Sequence, residues 1–160
     1  MIVNKIINNI LTFLFNPAYQ IILIYRISSI LSKHKIPLLV LILRWWGCIL
    51  YSCEISFSAH IGKNLKLPHP IGIVIGAGVI IKNNVTIFQN VTLGGKGGKN
   101  EKGYPIVEDG VVIYAGAKII GNIKIGENAI IGANSVVMSD VPAEALAVGV
   151  PARIITCVSN

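Results

Sequence analysis

The chain has 160 residues, 53% of them hydrophobic and 13% charged, and 14 Lys and Arg against 7 Asp and Glu give a formal charge of +7. The length fits one domain with a sizeable core, and so apolar a composition predicts outer faces covered by other subunits or by a membrane surface. The basic balance points to anionic partners such as acidic lipid or a phosphate-bearing cofactor; without a recognition helix, a zinc module or an aromatic-basic ladder, nucleic acid is set aside.

Residues 1–53 read as helical. Ile6, Ile7, Ile10, Leu11, Leu14 and Phe15 recur at helical spacing, and Asn16-Pro17 closes that segment. A second helix is expected from Pro17 to about Lys35, and a third, opened by Pro37, from Leu38 to about Tyr51. The third runs Leu38-Leu-Val-Leu-Ile-Leu43 into Arg44-Trp45-Trp46. It falls short of the roughly 20 apolar residues a span needs. Two readings stay open: an interfacial helix anchored by the paired Trp and flanking cations, or the preferred one, a cap packed on the remainder of the chain. Cys48, Cys53 and Cys157 form no CxxC pair and leave an odd thiol, which fits a reduced, cytoplasmic setting. No signal peptide is read at the N-terminus.

From residue 54 the pattern changes to a period of six. Ile75, Ile81, Ile87 and Leu93 mark successive hexads, and the count resumes at Val107 through Ile113, Ile119, Ile125, Ile131 and Val137. Fifth positions are small or aliphatic: Val79, Val85, Val91, Val111, Ala117, Ile123, Ala129, Ser135 and Val141. Turn formers lie between. Six matches neither 3.6 nor 2, but it fits a parallel β-helix whose short strands meet at tight corners. Counting back, Ile55, Ile61 and Leu67 extend the series, with Ala59, Leu65 and Ile71 at fifth positions.

The repeat breaks twice. Two residues are inserted between Leu67 and Ile75, and the break holds His69 between Pro68 and Pro70. Departures from a scaffold are where functional groups are placed. The second break, residues 94–106, is Gly-rich and polar and reads as an extruded loop. It is no P-loop, because the Lys-Ser/Thr spacing and the following helix are missing. The expected organisation is a helical cap over 1–53, possible membrane contact included, a catalytic β-helix over 54–142 and a tail over 143–160.

Gly72-Ile-Val-Ile-Gly76, Val91-Thr-Leu-Gly-Gly95, Gly116-Ala-Lys-Ile-Ile-Gly-Asn122, Gly132-Ala-Asn-Ser-Val-Val137 and Val148-Gly-Val-Pro-Ala-Arg153 carry a resemblance. Over about residues 54–155 the chain resembles the hexapeptide-repeat acyltransferases, and within them the serine O-acetyltransferase branch, which includes enzymes of surface-polysaccharide pathways. The resemblance implies a mainly β fold, a left-handed parallel β-helix, assembled as a homotrimer with active sites between subunits and acetyl-CoA lying along the coils. His69 matches the family's general base, a role imidazole suits because its ordinary pKa lies near about 6.5. Glu54 matches the acidic partner that orients the base, with Glu in place of Asp. Gly95, Ala115, Ala133 and Arg153 match cofactor contacts, and Lys118 is a further phosphate partner. Backbone N–H groups near Gly94 and Gly95 would stabilise the oxyanion.

Three positions depart from the branch. Pro68 replaces an Asp, and Gly103 and Tyr104 replace an Arg-His pair. An amino-acid acceptor needs charged partners, so the expected acceptor is a sugar or surface-polysaccharide hydroxyl, with Tyr104 against a sugar ring and work near a lipid-linked glycan at the membrane's inner face. The alternative is L-serine O-acetylation for cysteine synthesis. Drug acetylation and a scaffolding β-helix rank lower. A zinc hydratase would need three converging histidines, and only His60 and His69 fall in the β-helix. No metal is expected, and His60 and His34 are read as structural or solvated.

Overall fold

A computed structural model describes residues 15–97 and 103–156. The helix expected over residues 6–15 lies outside them but for Phe15, as does Cys157. Helix α1 spans Pro17–Lys33 and α2 spans Pro37–Tyr51. Asn16 caps α1, its Oδ1 accepting from the Ala18 N–H at 2.9 Å. Each helix opens on a proline, whose missing N–H has no helical partner to lose. α1 stops two residues short of the expected end because Lys35 takes left-handed backbone, φ 57°.

Beyond Ser52 the chain winds into a left-handed parallel β-helix. Its strands are numbered β1 to β14 in chain order and form three sheets. Sheet A stacks β1 (Glu54–Ile55), β3 (Val74–Ile75), β6 (Thr92–Gly94), β9 (Lys118–Ile120) and β12 (Val136–Val137). Sheet B stacks β2 (His60–Ile61), β4 (Ile80–Ile81), β7 (Ile106–Val107) and β10 (Lys124–Ile125). Sheet C stacks β5 (Thr86–Ile87), β8 (Val112–Ile113), β11 (Ile130–Ile131) and β13 (Ala145–Gly149), and β14 (Ala152–Thr156) returns antiparallel along β13.

The hexad explains each rung. A strand presents one side chain outward and one inward, and the corner then needs a residue that tolerates positive φ. Asn84, Asn90, Asn128 and Asn134 supply it at φ 55–59°. Register stacks like on like, Leu93 beside Ile119 and Ile119 beside Val137. The inward column of Ile75, Ile81, Ile87, Leu93, Ile113, Ile119, Ile125 and Ile131 is sealed from water. Burial of each such side chain contributes about 1.5–3 kcal/mol. Ser135 is a polar member of this core, and its Oγ accepts from the Gly149 N–H at 3.1 Å. One expected core position is corrected: Ile71 is exposed and Ile73 is buried instead. The two inserted residues push Ile71 outward and return the chain to register at Ile73.

Backbone hydrogen bonds join neighbouring coils in both directions, forward from Glu54 to Ile73 and from His60 to Val79, and back from Asn84 to Lys63. Some first-coil carbonyls point away from the stack, where no earlier coil can meet them. α1 takes them: the Tyr25 hydroxyl donates to the Ala59 carbonyl at 2.7 Å, and Arg26 donates to those of Ile61 and Gly62. A buried carbonyl left without a donor would be costly.

Candidate active site

The corner from sheet C to sheet A carries the candidate base. In later coils this corner is a short turn, but residues 68–73 bulge outward before β3. Its backbone is held at several points. The Cys53 thiol donates to the Pro70 carbonyl at 3.0 Å, the Gly72 N–H to the Ser52 carbonyl at 3.1 Å, and the Asn90 N–H to the Ile71 carbonyl at 2.9 Å. The flanking prolines restrict what remains. His69 is exposed on this bulge, with its ring 6.5 Å from that of Phe88 and inclined at 49°.

Phe88 in turn stacks on Tyr114 at 5.2 Å and 17°. The three rings occupy the same corner of successive coils. This ladder was not anticipated from the sequence, although Phe88 and Tyr114 each directly follow a core isoleucine, Ile87 and Ile113. Ala115 and Ala133 lie along the same edge, beside and beyond Tyr114.

Glu54 faces outward at the start of sheet A, beside Val74 of the strand that the bulge enters. Its carboxylate forms an ion pair with Arg44 of α2. No hydrogen bond joins it to His69 among the described residues. Cys53, next in the chain, is buried, and that burial pushes its thiol pKa up, with the nearby Cys48 adding to the shift.

The other corner of sheet A, toward sheet B, carries a second group. Gly94 ends β6 and its carbonyl accepts from the Gly121 N–H at 2.9 Å. Gly95 begins the extruded loop, which returns at Gly103 and Tyr104. The Tyr104 ring lies flat on the coil, so close that a methyl at Gly78 would come 2.2 Å from its Cδ2 and one at Gly76 would come 3.0 Å from its Cε1. Gly103 has φ +147°, and any Cβ there would meet the Asn122 Cβ at 2.4 Å. Only glycine fits where the branch has Arg.

Of the remaining candidates, Lys118 projects outward at the start of β9, and its Nζ donates to the Asn90 carbonyl at 2.6 Å. Arg153 is exposed on β14, opposite Val148. Pro68 is exposed at the entry to the bulge. One chain thus divides the set: His69, Ala115 and Ala133 on one edge of sheet A, and Gly94, Gly95 and Tyr104 on the other. A groove of about 580 Å³ between α1 and sheet B is lined by none of them.

Comparison with known proteins gives this frame a family. Residues 104–138 match the family described as bacterial transferase hexapeptide (six repeats). The serine acetyltransferase of Synechococcus elongatus is 38% identical over 148 residues, covering 92% of this chain and 61% of that protein. That of Helicobacter pylori is 38% identical over 143 residues, covering 89% of this chain and 84% of its own length. Among solved structures, the serine acetyltransferase of Neisseria gonorrhoeae superposes with a TM-score of 0.87 at 37% identity, over 94% of this chain and 58% of that one. The soybean enzyme complexed with serine gives 0.85 at 39%, covering 91% and 60%, and a serine acetyltransferase complexed with CoA gives 0.82 at 41%, again covering 91% and 60%. The chain spans about three fifths of the length of several of these proteins.

These matches overturn the expected sugar or polysaccharide acceptor, because the relatives are serine acetyltransferases and none of those compared acts by name on a glycan. The structure supplies a physical reason for the misreading. Tyr104 packs against Gly76 and Gly78 as part of the scaffold instead of standing free to receive a sugar ring. The chain belongs to the serine acetyltransferase family of hexapeptide-repeat transferases.

Proposed function

We propose that this chain transfers the acetyl group of acetyl-CoA to the hydroxyl of L-serine. Family membership across most of the chain, with an exposed imidazole at the bulge in the β-helix, carries the reading. His69 takes the hydroxyl proton as the serine oxygen attacks the thioester carbonyl. The C–O bond forms, the C–S bond breaks, and the imidazolium returns its proton to the departing CoA sulfur. Glu54 orients the imidazole, and N–H groups at Gly94 and Gly95 receive the developing oxyanion.

Ala115 and Ala133 leave room for a pantetheine arm to run against the backbone, and Lys118 and Arg153 offer charge to the CoA phosphates. With the two groups of residues on opposite edges of sheet A, a complete cleft needs a second copy. The assembly proposed is a homotrimer whose sites lie between subunits.

The test is release of CoA thiol by purified protein with and without L-serine, with His69→Ala alongside. Serine-dependent release that falls by about 10²–10⁴ in the variant is expected. Release without serine dependence, or unchanged in His69→Ala, would sink the proposal.

A further inference from the structure

A general base must present one ring nitrogen to the hydroxyl, and the backbone of the bulge does not settle how the His69 ring is turned. The bulge is pinned at Pro70, Ile71 and Gly72, yet the imidazole still has rotamers to choose among. Among the described residues no hydrogen bond or ion pair reaches either of its nitrogens, and the carboxylate of Glu54 is engaged by Arg44. The ring contact that remains is with Phe88, at 6.5 Å and 49°. That separation lies within the range over which aromatic pairs favour particular tilts.

Phe88 is itself fixed. A bridge from Lys66 to Thr86 brings the turn at Pro68 alongside it, and its N–H donates to the Ile113 carbonyl at 3.0 Å. Tyr114, stacked on it at 5.2 Å and 17°, is anchored in turn by donating its N–H to the Ile131 carbonyl at 2.9 Å. Ile87 and Ile113, which directly precede the two rings, are sealed in the core. The column therefore runs from rigid coils out to the imidazole. Contact between rings occupies neither imidazole nitrogen, so one stays available to the acceptor hydroxyl and the other to a carboxylate. An aliphatic side chain at position 88 would fill the space without favouring one tilt.

We propose, on the reading of His69 as the base, that Phe88 is a positioning residue that sets the tilt of the imidazole, with Tyr114 holding Phe88. One readout needs no turnover. The chain has three histidines, His34, His60 and His69, and the imidazole C–H resonances of His69 in the full chain are assigned by their loss in His69→Gln. Phe88→Leu is expected to move them while those of His34 and His60 stay. Phe88→Tyr, which keeps the ring, is expected to return them close to their native positions. With acetyl-CoA and L-serine, Phe88→Leu should lower kcat by about 10–10²-fold with little change in either KM, and Phe88→Tyr should recover most of the loss. Tyr114→Leu, at a position 43% exposed, should move the same resonances by less and add little to Phe88→Leu; were Phe88→Leu not to fold, it decides alone. His69 resonances that stay in place overturn the proposal. So does a raised KM with kcat kept, which would make Phe88 a substrate contact, or independent, multiplying losses in the double variant. A native protein that turns over no serine would defeat the proposed activity, and the resonances would then decide the tilt by themselves.

Discussion

Arg44 of α2 holds the carboxylate of Glu54, the first residue of β1, in an ion pair whose side chains are both about half exposed. The helical cap thereby reaches the residue proposed to orient the base. At that exposure the pair contributes less than about 1 kcal/mol to folding. Arg44→Gln is therefore expected to leave the urea midpoint nearly unchanged. If the pair aims Glu54, kcat with L-serine falls about tenfold in Arg44→Gln, and adding Glu54→Gln costs little more. Independent, multiplying losses in the double variant would show that Arg44 does not act through Glu54.

The contact of Tyr104 with Gly78 predicts a rescue. Gly78→Ala places a methyl inside the ring and should destabilise the protein by about 1–3 kcal/mol. Gly78→Ala combined with Tyr104→Ala should be less damaged than the sum of the two single variants, because the ring atoms nearest the added methyl are then gone. Denaturant unfolding of the four proteins measures the coupling; strict additivity would refute it.

The thiols should differ sharply. Cys48 is exposed and Cys53 is buried. Iodoacetamide at pH 8 is expected to label Cys48 in the native protein and Cys53 only after unfolding, as peptide mapping would read. Because burial raises the Cys53 pKa, its folded state holds the proton more tightly than the unfolded chain does. That contribution to stability is complete below the ordinary thiol value of about 8.5 and declines as pH rises through it toward the raised value. Cys53→Ala should flatten this alkaline decline.

Within the core, Ile119 is sealed between Leu93 and Val137. Ile119→Ala is expected to cost about 2–5 kcal/mol by leaving a cavity that the stacked coils cannot collapse to fill. Val112→Ala, at an outward position of the neighbouring sheet, should cost far less. Urea midpoints compare the two.

The architecture was legible because the hexad encodes strand and corner together, so the inward column could be named residue by residue from Ile75 to Val137. The exposed bulge at His69 was legible as a defect in that count. Contacts between coils were not. Phe88 and Tyr114 are 26 positions apart in the chain because the extruded loop lengthens the coil between them, and nothing local ties them together. The pairing of Arg44 with Glu54 depends on how a helix meets a sheet, which no periodicity records. Tyr104 was misjudged for a related reason: its environment is made by Gly76 and Gly78 from the preceding coil, and a substitution that looks like a new recognition element reads differently once its floor is known.

The reversal of direction at the C-terminus has a consequence for solubility. A stack of parallel coils is open-ended, and its last rung could accept another chain as readily as it accepted its own. Antiparallel β14 lies along β13 and occupies that edge on sheet C, while Tyr25 and Arg26 occupy carbonyls at the opposite end. The molecule thus terminates its own growth at both poles, and a chain cut before Ala145 would be left as a template for fibres.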